Sequence, residues 1–354
     1  MFDVVIVGGG IAGASLGAAV AATRRTLLIE AENQCGMHAT GRSAAFWLES
    51  YGGPQVAKLT AASHDFLAAE GFLMQRGAVH LADGDWPELP PGVSARKLSR
   101  EELERLVPGL RPRWTKGRLE SGCADIDVAA LHAHFLAQFR RAGGTIAMRA
   151  RLRAAAVKSG QWSIELDDGS SLHAANLVNA AGAWADAVAR GCGVAPLGIA
   201  PKRRTMVQLR VGRSGLRQLP LVDDAAGTFY FKGERDRSVW LSPHDEIASD
   251  PCDAAPEEID VATAIDRFEQ VVDWPVERVE RSWAGLRSFA PDRLPVYGFD
   301  SGEPRFFWCA GQGGFGIQTA PAAAKLAAAL LLEQPLDDMI AHIAPATFSP
   351  ARFG

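Results

Sequence analysis

Six residues near the N-terminus, Gly8-Gly9-Gly10-Ile11-Ala12-Gly13, restrict what this chain can fold into more than any other segment. They lie between an apolar run, Phe2 to Val7, that reads as a buried strand and a small-residue stretch, Ile11 to Ala22, that reads as a helix. Thr26 to Glu30 reads as a second strand, so the chain opens as a strand–helix–strand unit with almost no linker. That is the mark of a parallel sheet covered on both faces. In this setting Gly8 permits a tight turn, Gly10 lets the backbone approach a pyrophosphate, and Gly13 lets the helix pack on the strand. The helix N-terminus offers free N–H groups and a partial positive charge to the same anion. Glu30, 22 residues after Gly8, closes the second strand with a carboxylate suited to a ribose diol and repellent to a 2′-phosphate. The pattern predicts dinucleotide binding and disfavours NADP. These residues alone leave NAD and FAD open.

Further along, Val56–Glu70 and Asp127–Ala142 carry apolar residues at helical spacing, and Leu177–Ala181 reads as a buried strand running into Gly182. From Pro201 to Phe289 the texture changes to short alternating runs, Thr205–Val211, Thr228–Lys232 and Ser238–Ser242, which predict antiparallel strands. Phe306–Cys309 is a further buried strand, followed by a glycine-rich turn and a last helix over about Ile317–Leu332. The 354 residues suffice for two domains. The predicted fold class is α/β: a Rossmann-like domain assembled from separated segments, with an inserted α+β domain containing an antiparallel sheet. We assign 1–75, 140–203 and 285–354 to the first, and 76–139 and 204–284 to the second.

Several function classes are disfavoured. A net charge of −4 gives no electrostatic case for nucleic acid. Five scattered cysteines without a CxxC pair predict free thiols and a cytoplasmic location. Cys309 reads as a buried strand residue. His132 and His134, two apart on a helix, point to different faces and not to one metal, so no metal site is expected. The apolar stretch Ala320–Leu332 is broken by Lys325 and too short to span a bilayer.

Two segments tip the cofactor toward FAD. Thr40-Gly41-Arg42-Ser43-Ala44-Ala45 supplies small residues, N–H groups and one cation for a diphosphate or a flavin edge. The turn before the last helix, Gly313-Gly314-Phe315-Gly316, aims the positive end of that helix at whatever lies above it, and Ile317 begins the helix. Such a field stabilises negative charge on a reduced isoalloxazine.

With these motifs in place, the chain resembles the D-amino-acid oxidase-like flavoprotein family along nearly its whole length. The resemblance is carried in order by Gly8–Gly13, Thr40–Ala45 with Tyr51-Gly52, Ala124-Asp125-Ile126-Asp127 and Leu177–Trp184. It continues through Pro201-Lys202-Arg203-Arg204, Thr228-Phe229-Tyr230, Trp283–Phe289 and Gly311–Thr319. Within the family the likeness is greatest to the bacterial D-arginine dehydrogenase branch. The resemblance implies non-covalent FAD, with Ala31, Leu152, Ala181, Gly182 and Trp184 joining the glycine-rich segments around it. It implies a carboxylate clamp of Arg204 and Arg287, a chemistry that guanidinium forks serve well. It further implies hydroxyls from Tyr51 and Tyr230, a Gly314 carbonyl accepting from the substrate amine, and Gln318 near the flavin. Tyr51 lies on a loop suited to gating.

The side-chain pocket departs from that branch. Ala78 stands where the branch carries the acid that holds a basic side chain, and Phe46 and Leu48 replace polar residues. Asp223 appears, near Leu221, where the branch has an apolar residue. Asp223 either restores a cation preference from another wall or points to solvent. The expected activity is oxidative deamination of a D-amino acid, through an imino acid, to a 2-oxo acid and ammonia. Oxidation of a secondary amine or a 2-hydroxy acid in the same fold stays open, as does a non-catalytic flavin module. Oxygen and a quinone-like acceptor are equally compatible with the sequence.

Overall fold

The computed structural model describes residues 1–86 and 88–354. Strand β1 (Phe2–Val7), helix α1 (Ile11–Val20) and strand β2 (Thr26–Ile29) form the opening unit. β1 pairs in parallel with β2 on one side and with Ser171–Asn179 on the other. Thr145–Ala147 extends the sheet in parallel beyond β2, and Phe306–Ala310 adds in parallel to the C-terminal half of Ser171–Asn179. The antiparallel pair Leu152–Lys158 and Gln161–Leu166 completes this eight-stranded sheet, with Val296–Phe299 beside Phe306–Ala310. The parallel strands are apolar on both faces because both are covered. One face buries Ile6, Leu28, Val178 and Phe307 together with α1 and the helix Gly316–Leu331. The other buries Val5, Leu27, Leu177 and Trp308.

A second, ten-stranded sheet runs in the order Gln312–Gly313, Val276–Phe289, Ala200–Val211, Ser238–Ser242, Tyr230–Arg235, Leu221–Asp224, Ala78–Ala82, Lys116–Glu120 and Arg96–Leu98, with Ile247–Ala248 beside Ala200–Val211. Its spine is the long antiparallel pair Ala200–Val211 and Val276–Phe289. Residues 306–313 carry the chain directly from one sheet to the other, so the two meet at the glycine-rich turn.

Several expectations need correction. The Leu177 strand ends at Asn179, where Gly182 takes a positive φ of 55° and opens a short 3₁₀ turn. The alternating run expected from Thr205 starts earlier, so that the basic cluster 201–204 belongs to the strand Ala200–Val211. Within the expected antiparallel region, Leu221–Asp224 pairs in parallel with Ala78–Ala82. Alternation of apolar and polar residues cannot tell parallel from antiparallel neighbours, because both share the period of two. The assigned breaks at 203/204 and 284/285 lie inside two continuous strands that pair there, Arg204 opposite Gly285. Helix Val128–Arg141 packs on α1 at the eight-stranded sheet, although most of it was grouped with the inserted part.

Candidate active site

The N-terminus of α1 opens into a cavity of about 360 Å³ lined by Gly8, Gly10, Ile11 and Ala12. Gly8 sits at φ 105°, a turn that favours glycine. Gly10 caps α1 without a side chain to bond the first-turn amides, which leaves positive N–H dipoles for an anion. A Cβ on Gly10 would meet only the Thr40 hydroxyl, at 3.2 Å, so the space above it is open to a ligand. Glu30 and Ala31 line the same cavity from the end of β2. The Glu30 carboxylate accepts the Gly9 N–H at 2.8 Å and the Glu32 N–H at 2.9 Å, and each oxygen keeps a lone pair for a diol. Leu152, Ala181, Gly182, Trp184, Gly313, Gly314, Gly316 and Ile317 complete the lining with Arg42 and Ser43. An open glycine cradle, an uncapped helix end and a fixed carboxylate fit the pyrophosphate and ribose of FAD.

Some expected members lie elsewhere. Gly13 faces β1, and a Cβ there would sit 2.0 Å from the Gly8 carbonyl oxygen. Gly41 closes a turn, donating its N–H to Gly36 O at 2.8 Å. Phe315 is buried against Tyr51, ring centroids 5.2 Å apart. The Arg42 cation is already engaged, donating to Ala254 O at 2.8 Å and Ala284 O at 3.0 Å and pairing with Asp253. Ala44 and Ala45 line a second cavity instead. Two residues brace the cradle in ways the sequence did not indicate: Thr40 Oγ1 accepts the Ile11 N–H at 2.9 Å, and His132 Nε2 meets the Gly9 carbonyl at 2.9 Å.

That second cavity, about 380 Å³, adjoins the first, and Arg42, Ser43, Gly285, Arg287, Gly314 and Ile317 line both. Much of its wall is one face of the ten-stranded sheet. Register sets Tyr230 opposite Asp223, Asp223 opposite His80, and His80 opposite Arg118, and all four line the cavity. The intervening residues Val79, Val222 and Phe231 turn the other way into the core beneath, as the strand period requires. Arg204 and Arg287 come from the paired spine strands. Arg204 is only 7% exposed, and its Nε donates to the Asp245 carbonyl at 2.8 Å. Arg287 Nη1 donates to the Tyr51 hydroxyl at 2.8 Å and Nη2 to Glu246 Oε1 at 2.8 Å. The guanidinium of Arg204 lies 5.9 Å from the Tyr230 ring centroid, and the Tyr230 hydroxyl donates to Met206 Sδ at 2.9 Å.

Two buried donors, Arg204 Nη2 and Arg287 Nε, find no hydrogen-bond partner among the described residues. Unpaired buried guanidinium nitrogens are costly unless a ligand completes them. Burial and the nearby Arg287 charge hold Arg204 below its ordinary pKa. Burial likewise raises the Tyr230 phenol, against the pull of the two arginines. Burial would raise the Glu246 carboxyl, but the Arg293 hydrogen bond and the Arg287 charge bring it to about 2. The adjacent acids Asp245 and Glu246 escaped sequence reading because no motif marks them; the fold alone brings them to the arginines.

Gln318 lines the cavity but also braces the loop that bears Tyr51, accepting the Leu48 N–H at 3.3 Å and donating to Tyr51 O at 3.3 Å. Phe46, Leu48 and Leu221 line the cavity, whereas Ala78 is fully buried behind it, packed with Leu48 and Leu221. Asp223 faces the cavity, and the cation it meets is the protein's own: His80 Nδ1 at 2.7 Å. His80 Nε2 reaches Glu120 Oε2 at 3.2 Å. Burial alone would depress His80, but Asp223 and Glu120 raise it to about 10, so the ring is an imidazolium.

Comparison with known proteins agrees with this architecture. The L-proline dehydrogenase of P. horikoshii superposes with a TM-score of 0.84 at 18% identity, covering 99% of this chain and 97% of that one. The glycine oxidase of Geobacillus kaustophilus gives 0.82 at 21% identity, covering 99% and 98%. By sequence, the bifunctional protein ThiO/ThiG of Nostoc sp. is 31% identical over 174 residues, 48% of this chain. The chain spans about a quarter of that relative's length, 25%. Residues 3–330 match the family described as FAD dependent oxidoreductase, and with a cradle that fits its cofactor the chain belongs to that family of FAD-dependent oxidoreductases.

Proposed function

We propose that the protein oxidises a D-amino acid to an imino acid, which water converts to a 2-oxo acid and ammonia. The observation that carries this reading is the pair of arginines beside the cofactor cavity, each with a buried N–H donor lacking a partner. A carboxylate completes both forks with charge-assisted hydrogen bonds. Tyr51 adds a hydroxyl donor at the same pole, Tyr230 adds another by turning its O–H from Met206 Sδ to the carboxylate, and the Gly314 carbonyl accepts from the amine, so the clamp orients the α-carbon toward the adjoining cavity. The apolar wall of Phe46, Leu48, Met206 and Leu221 excludes water from that carbon and receives the side chain. FAD, when bound, supplies the acceptor for the two electrons and the hydrogen of the α-carbon. The chain's own share is orientation and charge placement. The D configuration is inferred from the resemblance of the sequence motifs to the D-arginine dehydrogenase branch, while Ala78 removes the acid on which a preference for D-arginine would rest.

Anaerobic titration of the FAD-loaded protein tests this, with D- and L-amino acids, glycine, proline, N-methylglycine and 2-hydroxy acids. Bleaching of the flavin band by D-amino acids alone is the expected result. Bleaching by secondary amines or hydroxy acids alone would move the assignment to those substrates. A flavin that no member of the panel reduces would make the protein a non-catalytic flavin module.

A further inference from the structure

A chain of polar contacts leaves the far wall of the substrate cavity and returns to its clamp. Asp223, partly exposed in the cavity, holds His80 Nδ1 at 2.7 Å. His80 Nε2 meets Glu120 Oε2 at 3.2 Å. The other oxygen of Glu120 accepts the backbone N–H groups of Glu49 at 3.1 Å and Ser50 at 3.3 Å. The next residue is Tyr51, whose hydroxyl sits on Arg287. Sheet geometry builds the chain: His80 is opposite Asp223 in the parallel pairing, and Ala78, one step along the same face, is opposite Glu120.

We propose that His80 is a positioning residue that couples the side-chain end of the substrate cavity to the carboxylate clamp, by fixing Glu120 and through it the loop that bears Tyr51. The inference rests on the reading of Tyr51 and Arg287 as a clamp. Glu120 is 3% exposed, and a carboxylate so placed needs a cation to stay ionised. His80 is the cation that meets it at hydrogen-bond distance. With His80 absent, Glu120 loses that partner and its hold on the two N–H groups loosens. Gln318 braces the same loop from Leu48 N–H and Tyr51 O, so the loop keeps its place in the fold while the Tyr51 hydroxyl loses its setting against Arg287. A substrate side chain that touches Asp223 shifts the same chain from its other end, so the cavity reports its contents to the clamp.

A double-mutant cycle separates this coupling from general structural damage. The measurement is calorimetric titration of the FAD-loaded protein with benzoate as a carboxylate probe. His80→Gln is expected to weaken benzoate about tenfold when Tyr51 is intact, and less than about twofold in a Tyr51→Phe background. Asp223→Asn, an isosteric change at a partly exposed side chain, shows the same dependence on Tyr51 at smaller size, and stands in if His80→Gln does not hold its cofactor. Equal effects in both backgrounds, or no effect in either, would overturn the coupling and leave the clamp intact. A wild-type protein that does not bind benzoate would overturn the clamp reading and this inference with it.

Discussion

Gly314→Ala is a sharp test of the clamp, because the structure states what the added methyl group meets. A Cβ at this position lies 2.5 Å from the Tyr51 hydroxyl oxygen and 2.9 Å from Arg287 Nη1, where ordinary contact begins at 3.4 Å. Tyr51 must therefore retreat by nearly an ångström. Both atoms are the tips of flexible side chains, so the fold accommodates the change by moving the clamp, and thermal stability stays near wild type. The Arg287–Tyr51 hydrogen bond, 2.8 Å, is the contact that breaks. A hydrogen bond to a charged group contributes about 1.5–3 kcal/mol, which corresponds to roughly ten- to hundredfold in kcat/KM. A displacement near 1 Å at a site that works by orientation gives a loss of about the same size. The assay is steady-state oxidation of the best D-amino acid found by titration, with bound FAD measured in parallel by absorbance. A variant with full FAD and kcat/KM within twofold of wild type would refute the assignment of Tyr51 and Arg287 to the carboxylate.

Arg287→Ala removes one fork of the clamp while Arg293 still holds Glu246, and is expected to cut kcat/KM for every carboxylate substrate by about thirtyfold or more, from the ~2 kcal/mol or greater cost of truncating one partner of a desolvated charge pair. Gly13→Ala behaves differently from Gly314→Ala, because its Cβ would lie 2.0 Å from a backbone oxygen that cannot rotate away. It should lower stability by about 1–3 kcal/mol or more and yield protein depleted of FAD, seen by melting and by absorbance. The pH dependence of melting should have two limbs. His80, raised to about 10 against ~6.5 unfolded, contributes fully below the unfolded value, and that contribution is lost as pH rises through about 10. His244 is held down to about 4 by burial and the Arg204 charge, so it costs stability as pH falls from ~6.5 toward that value. His80→Gln should flatten the alkaline limb and His244→Gln part of the acid limb; an unchanged melting profile in both would refute these assignments.

Local chemistry determined the cofactor half of this protein. The cradle Gly8–Gly13, its strand, its helix and Glu30 are contiguous or nearly so, and the Gly8 carbonyl five residues away leaves no room for a side chain on Gly13. Sequence alone therefore carried the opening unit, the last helix and FAD, together with the arginines and tyrosines named through motifs. Tertiary structure decided the rest of the site. Asp223, His80 and Glu120 are remote in sequence and become neighbours only through strand register, which a period of two cannot specify across a sheet. Asp245 and Glu246, which meet the arginines, lie in a loop without a motif and take their role from where the spine strands deliver it. Ala78 shows the same limit in reverse: placed in the pocket by alignment of motifs, it shares its strand face with His80 but is covered there by Leu48 and Leu221 and contributes only packing. Short-range conformational need is written in consecutive residues, while a charge network across strands exists only after the sheet has chosen its neighbours.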